Sequence, residues 1–206
     1  MIEITAFRNS PVNSNCFVVQ STNTNKCIII DPGSEDSSII INFITNKALT
    51  PDYIVLTHEH FDHIWGINHL KKEYPIQVIC SIECAKNIAD PKKNMSIFYD
   101  QVGFNVQPAD IILKESHNCF FWNNTELNFF STPGHTKGSI CLYFKNYLFT
   151  GDTLIKGLKT VTKLPGGSIT ELNKSLNFIS KTFKLSNPMV YPGHNDCFFL
   201  NDYRFF

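Results

Sequence analysis

The sequence predicts an α/β protein in which two β-sheets stack face to face and helices cover their outer sides. Three observations carry that reading. Strand-like and helix-like runs alternate through the first half of the chain, residues 111–150 are mostly β, and a helix followed by a strand returns near the end. Neither a Pro/Ser-rich linker nor a low-complexity run interrupts the 206 residues, so residues 1–206 are expected to form one domain.

The elements follow in order. "NCFVVQS" and "KCIIID" are short runs of β-branched and aromatic residues closed by the turn "DPGS", which predicts strands. Residues 35–46, "EDSSIIINFITN", open with acidic and hydroxyl residues and then place Ile40, Phe43 and Ile44 at helical spacing. "YIVLT" is a continuous apolar run, as in a strand buried on both faces. "GINHLKKEY" predicts a short helix, "IQVIC" a second buried strand and "SIECAKNIAD" another helix. "TELNFFST", "SICLYF" and "YLFT" are strands separated by turn residues, a helix is expected over residues 170–184, and "MVY" is the last strand.

Composition narrows the function. With 43% hydrophobic and 17% charged residues the chain can bury a sizeable core. Lys plus Arg and Asp plus Glu are both 18, leaving no excess of cations to neutralise a phosphate backbone, so a nucleic-acid partner is not expected. The opening "MIEITAFRNS" lacks a basic segment followed by an apolar one, and no apolar run reaches about 18 residues. A cytoplasmic protein with a small-molecule substrate and no membrane partner is the expectation. The seven cysteines form no framework spacing and sit mostly in apolar runs, which predicts buried free thiols.

The chemistry concentrates in "THEHFDH", residues 57–63. The spacing H-x-H-x-D-H puts His58 and His60 two apart at the end of a predicted strand, facing the same way, while Asp62 and His63 come off the turn that follows. Imidazole and carboxylate suit zinc and its first-row neighbours, so the cluster is a site for one or two divalent ions. Three further candidates occupy turns directly after strands: His135 in "TPGHTKGS", Asp152 in "FTGDTL" and His194 in "VYPGHND", each beside a glycine. Two histidines fall outside the constellation: His69, in "GINHLKK", is expected on a solvated helix face, and His117 matches no motif.

These motifs, in this order, resemble the metallo-β-lactamase superfamily and within it the glyoxalase II-like (hydroxyacylglutathione hydrolase-like) enzymes. The resemblance runs from about Asn15 to His194. It implies a four-layered αβ/βα sandwich with the metals at one edge of the two sheets. It implies that His58, His60 and His135 hold one ion, that Asp62, His63 and His194 hold a second, and that Asp152 bridges them. Two divalent ions, zinc foremost with iron or manganese as alternatives, would lower the pKa of a shared water from about 15.7 towards 7. A metal-bridging hydroxide would then attack a thioester, whose thiolate leaves readily because a thiol pKa is about 8.5. Asp62 and Asp152 would be the catalytic carboxylates.

Full-length glyoxalase II enzymes add a helical domain whose basic residues hold the glutathione carboxylates. Here twelve residues follow His194, with Arg204 their one cation, and "IKGLKTVTKLPGGS" departs from the related Arg-Thr-Asp run before its Pro-Gly-Gly. The chain thus resembles a short, single-domain branch, and Lys156, Lys159 and Lys163 are its candidate anion contacts. The alternatives are a mononuclear iron persulfide dioxygenase or a lactonase on the same scaffold. A β-lactamase is disfavoured by Asp152, a metal-stabilised scaffold without turnover by the completeness of the ligand set, and an RNA-processing enzyme by the zero net charge.

Overall fold

The computed structural model describes residues 1–205. The first sheet contains β1 (Ile2–Arg8), β2 (Asn15–Ser21), β3 (Lys26–Ile30), β4 (Thr50–Val55), β5 (Gln77–Ser81) and β6 (Ile111–Leu113), side by side in that order. Its first three strands are antiparallel and β3 to β6 are parallel. The second sheet contains β7 (His117–Trp122), β8 (Thr125–Ser131), β9 (Ile140–Phe144), β10 (Tyr147–Gly151), β11 (Met189–Pro192) and β12 (Phe198–Phe199), again in chain order across the sheet. Every pair is antiparallel except β10 with β11.

Parallel neighbours need a crossover, and helices supply it. α1 (Ser38–Asn46) joins β3 to β4, α2 (Phe61–Ile64) and α3 (Ile67–Glu73) join β4 to β5, α4 (Ile82–Asn87) and α5 (Ile97–Asp100) join β5 to β6, and α6 (Ile169–Phe183) joins β10 to β11. The apolar runs of β3 and β5 serve two cores because successive side chains point to opposite faces. Ile28, Ile30 and Ile79 meet Leu127, Phe129, Leu142 and Phe149 between the sheets, whereas Ile29 and Val78 pack outward with Ile40, Ile44, Ile67 and Leu70 of the helices. A third core lies on the outer side of the second sheet, where Leu172, Leu176, Ile179 and Phe183 form one stripe of α6 over Leu148 and Val190. The layers are therefore α/β/β/α, as the resemblance implied.

Particular elements differ from their sequence reading. α1 begins at Ser38 and not at residue 35, because the Asp36 carboxylate accepts the Ser38 amide at 2.9 Å and turns the chain outside the helix. α6 begins at Ile169, with the Ser168 hydroxyl accepting the Glu171 amide at 3.3 Å. The "KN" between β9 and β10 is a hairpin turn, with Lys145 at φ 53°. The aromatic tail packs on the second sheet: Phe198 and Leu200 are buried, and β12 pairs with β11. Five of the seven thiols are buried, Cys119 and Cys197 being exposed. Among the described residues no helix is long and apolar enough to cross a membrane.

Candidate metal centre

The loops that follow β3, β4, β8, β10 and β11 gather at one edge of the sandwich, and each delivers a polar side chain there. His58 and His60 follow β4, Asp62 and His63 lie on α2, His135 follows β8, Asp152 follows β10 and His194 follows β11. All seven candidates are brought together. One set, His58, His60 and His135, and another, Asp62, His63 and His194, each place three donor atoms within 4.8 Å of one another. Asp152 lies between them: its Oδ1 is 3.7 Å from His63 Nε2, and its Oδ2 is 3.5 Å from both His135 Nε2 and His194 Nε2.

The outward ring nitrogens fix which atoms face inward. His135 Nδ1 donates to the Val161 carbonyl at 2.8 Å, His194 Nδ1 to the Asn13 carbonyl at 3.1 Å, and His63 Nδ1 to Asp31 Oδ2 at 3.1 Å. His58 Nδ1 lies 3.0 Å from Thr57 Oγ1, which itself donates to Asp31 Oδ2 at 2.6 Å. Four imidazoles therefore direct Nε2 into the site, while His60 presents Nδ1, 2.8 Å from His135 Nε2.

The residues fit cations. His58 Nε2, His63 Nε2 and Asp152 Oδ1 are buried without a hydrogen-bond partner, an arrangement that desolvation disfavours unless a charge is to be bound there. The spacings of 3.4 to 3.7 Å among His63, His194, Asp62, Asp152 and His135 come close to the edge of a tetrahedron whose ligands stand about 2.0 to 2.1 Å from its centre, about 3.3 to 3.4 Å. A third geometric grouping, Asp31 with His58 and His63, is of another kind. Both Asp31 oxygens already accept from Thr57, Oδ1 from its amide at 2.8 Å and Oδ2 from its hydroxyl, so Asp31 orients the donors.

Charge divides the site in two. Burial, reinforced by the neighbouring histidines, holds His58 well below the ordinary imidazole range, and burial with His135 lowers His60 to about 3, so both are neutral donors. On the other side burial opposes ionisation but loses. Asp62, Asp152 and Asp31 raise His63 to about 10, Asp62 and Asp152 raise His194, and the His63 and His194 charges hold the Asp62 carboxyl below its usual range. This half accumulates carboxylate charge that protons balance when no cation does.

Close backbone approach shapes the site at Gly193 and Gly151, as it does at several other glycines. A Cβ on Gly193 would lie 2.1 Å from Asp152 Oδ1, and one on Gly151, at φ +47°, would lie 2.2 Å from Thr57 Oγ1. Residues that the sequence reading passed over complete the frame. Asp31, read as part of a turn, stands at φ 52° at the end of β3. Glu59, inside the histidine motif, points away from the donors, accepting from Asn87 at 2.9 Å and from Thr136 Oγ1 at 2.8 Å, and so ties the two ligand loops together. The Asn15 amide donates to the Pro192 and Asn195 carbonyls at 2.9 and 2.8 Å and pins the His194 loop. A carboxylate directly after an apolar strand run was the one available signal, and it belongs to Asp31. His69 and His117 lie outside the donor sets. His69 is half-buried, with Nδ1 accepting the Ser37 amide at 3.3 Å rather than resting on a solvated face, and His117 stacks on Phe130 at 4.6 Å.

Fold and site together define a two-sheet sandwich with a metal-binding edge, and the donor sets imply divalent ions. Residues 9–194 match the model of the metallo-β-lactamase superfamily, and the chain belongs to that family. A protein of Mycobacterium leprae is 28% identical, with 94% of this chain and 91% of that one covered. A hydroxyacylglutathione hydrolase of Citrobacter koseri is 32% identical over 81% of this chain and 57% of its own, so the match spans little more than half of that relative. Among solved structures, the B3 metallo-β-lactamase BLEG-1 superposes with a TM-score of 0.88 at 28% identity, covering 97% of this chain and 95% of that one.

Proposed function

We propose that this chain is a hydrolase that uses two divalent ions, zinc foremost, to cleave small thioesters of the hydroxyacylglutathione type, working as one domain in the cytoplasm. The observation that supports it best is the Asp152 carboxylate, whose Oδ2 lies 3.5 Å from His135 of one set and from His194 of the other, and whose Oδ1 lies 3.7 Å from His63. His58, His60 and His135 would hold one ion, Asp62, His63 and His194 the other, and Asp152 both. Bound there, the ions supply an acidified water and polarisation of the carbonyl under attack.

The chain's own residues do the rest. Asp62, held ionised by His63 and His194, accepts a hydrogen bond from the attacking water and orients it towards the carbonyl carbon. The new C–O bond forms, the C–S bond breaks, and a carboxylic acid and a thiol result. The thiol carrier has few fixed contacts. Lys156 stands 3.6 Å from Asp202, over the Phe198 ring, and with Lys159 and Arg204 it lines a cavity of about 540 Å³ beyond the site. Because Lys156 is already paired with Asp202, S-lactoylglutathione is expected to be turned over with a high KM beside other small thioesters.

Metal analysis of the purified protein coupled to a thioester hydrolysis screen tests the reading. Two zinc ions per chain with thioester turnover supports it. One iron per chain with oxygen consumption and no hydrolysis replaces it with the dioxygenase alternative.

A further inference from the structure

A cavity of about 350 Å³ opens directly onto the donor set. His60, Asp62, His135 and Asp152 form its floor, and Phe61, Met95, Phe98, Tyr99, Val161 and Leu164 form its walls. None of the lining residues is Lys or Arg. The walls are fixed to the floor: Phe61 stands between His60 and Asp62 in the chain, and the Val161 carbonyl is the group that holds His135. Behind them the rings are packed, Phe61 at 5.1 Å from Tyr99, and Trp65 at 5.7 Å from each of those two and stacked on Phe104 at 5.0 Å. At the mouth, however, Phe98, Tyr99 and Val161 are 67%, 47% and 51% exposed. Apolar side chains left open to water on the rim of a polar site are the signature of an apolar ligand portion.

We infer that this cavity receives the acyl chain of the substrate and that the chain is apolar, so that acyl thioesters of several carbons are preferred over short hydroxyacyl ones. The inference rests on the proposed thioester hydrolysis. The scissile carbonyl must lie over the donor set, and of its two flanks only one can enter a wall of aromatic and aliphatic side chains. The thiol carrier of a water-soluble thioester is polar, and the cavity offers it no cation. A hydroxyl on the acyl α-carbon would instead sit against Phe61 and Tyr99 with a lost water bond. Each methylene that enters should raise kcat/KM about two- to fourfold, the upper value corresponding to about 0.8 kcal/mol of burial.

The test uses the zinc-loaded full chain and the N-acetylcysteamine thioesters from acetyl to octanoyl, with the lactoyl thioester as reference. The expected result is a stepwise rise of two- to fourfold per carbon that levels off when the cavity is full, and a flattened series in Phe98→Ser and Val161→Ser. The control Phe121→Ser, an exposed residue of β7 away from the site, keeps the slope. A second readout needs no turnover: S-alkyl thioethers of N-acetylcysteamine titrated into the metal-free protein should perturb Trp65 fluorescence with a Kd that falls twofold or more per carbon, a signal absent in Trp65→Phe. Turnover of the thioesters with no dependence on chain length overturns the acyl subsite and leaves the hydrolase standing. Chain-length-dependent binding without hydrolysis of any thioester keeps the apolar subsite and overturns the proposed reaction. Binding that ignores chain length overturns the subsite by itself.

Discussion

Asp31 and His63, thirty-two positions apart in the chain, meet at 3.1 Å between Oδ2 and Nδ1, with both side chains buried. The same carboxylate takes both donors of Thr57, so one residue at the end of β3 orients a histidine on α2 and, through the Thr57 hydroxyl, the neighbouring His58. Each donor set is thus aligned from behind by a single anion. Asp31→Asn keeps the size but withdraws the charge that raises His63. Metal affinity is expected to fall about 10- to 100-fold, as for other residues that orient a ligand histidine, with zinc competition against a chromogenic chelator as the measurement. Wild-type affinity in this variant would reduce Asp31 to a packing residue.

Asp152 stands between the two sets, its Oδ2 at 3.5 Å from a histidine of each. Asp152→Asn should leave the sandwich intact, since the residue stands in a loop at the sheet edge, but a neutral amide neither offsets two cations nor offers two equivalent oxygens. Metal content is expected to drop from two ions per chain towards one and kcat to fall by orders of magnitude. Elemental analysis beside steady-state kinetics reads both quantities, and near wild-type values would assign Asp152 to structure alone.

Proton release follows from the charge balance. In the metal-free protein His63, raised to about 10 by Asp62, Asp152 and Asp31, carries a proton near neutral pH and must lose it to donate Nε2, and His194 is shifted in the same direction by Asp62 and Asp152. Metal loading at pH 7.5 should therefore release at least one proton per chain, measurable by calorimetry in buffers of different ionisation enthalpy. The sign for stability is definite. A histidine raised from 6.5 to about 10 adds stability that is complete below about pH 6.5 and is lost as pH rises through 10. The metal-free protein should weaken steadily over that window, and the loaded protein, whose cations balance the same carboxylates, should not.

How much of this was legible in the sequence depended on range. Residues 57–63 place four candidate donors within one strand-to-helix connection, and the turns around His135, Asp152 and His194 repeat a polar residue beside a glycine after an apolar strand, so local pattern marked all seven candidates that the fold brings together. Asp31 carries only a weak local mark, a carboxylate directly after an apolar strand run, because its role exists only where β3 and β4 lie parallel and adjacent and bring it to Thr57 across the sheet. Glu59 was hidden for the opposite reason, since it sits inside the motif yet turns away to bind Thr136, seventy-seven residues on. α2 and α5, four residues each, fall below the length at which periodicity can be read, and β1, whose residues alternate only between half-buried and exposed, has no fully buried face to mark it. The cavity wall was likewise invisible, because Phe61, Phe98 and Val161 come from three separate loops.

Gly193 ties metal binding to stability through its approach to Asp152. Ions that bind only the folded state stabilise it by mass action, about 4.1 kcal/mol at a thousandfold excess over Kd. For a chain of this length, at about 2 to 4 °C per kcal/mol, chelation should lower Tm by roughly 8 to 16 °C. Gly193→Ala places a Cβ 2.1 Å from Asp152 Oδ1 and 2.9 Å from His63 Cε1, between the carboxylate and a histidine of the second set. The carboxylate must swing away from His63, so the variant should recover less than half of the wild-type thermal gain when zinc is returned to the chelated protein. Differential scanning calorimetry of both proteins, with and without zinc, supplies the four values required. An equal gain in the two would mean that Asp152 need not sit where it does for the ions to bind, and the bridging role would have to be abandoned.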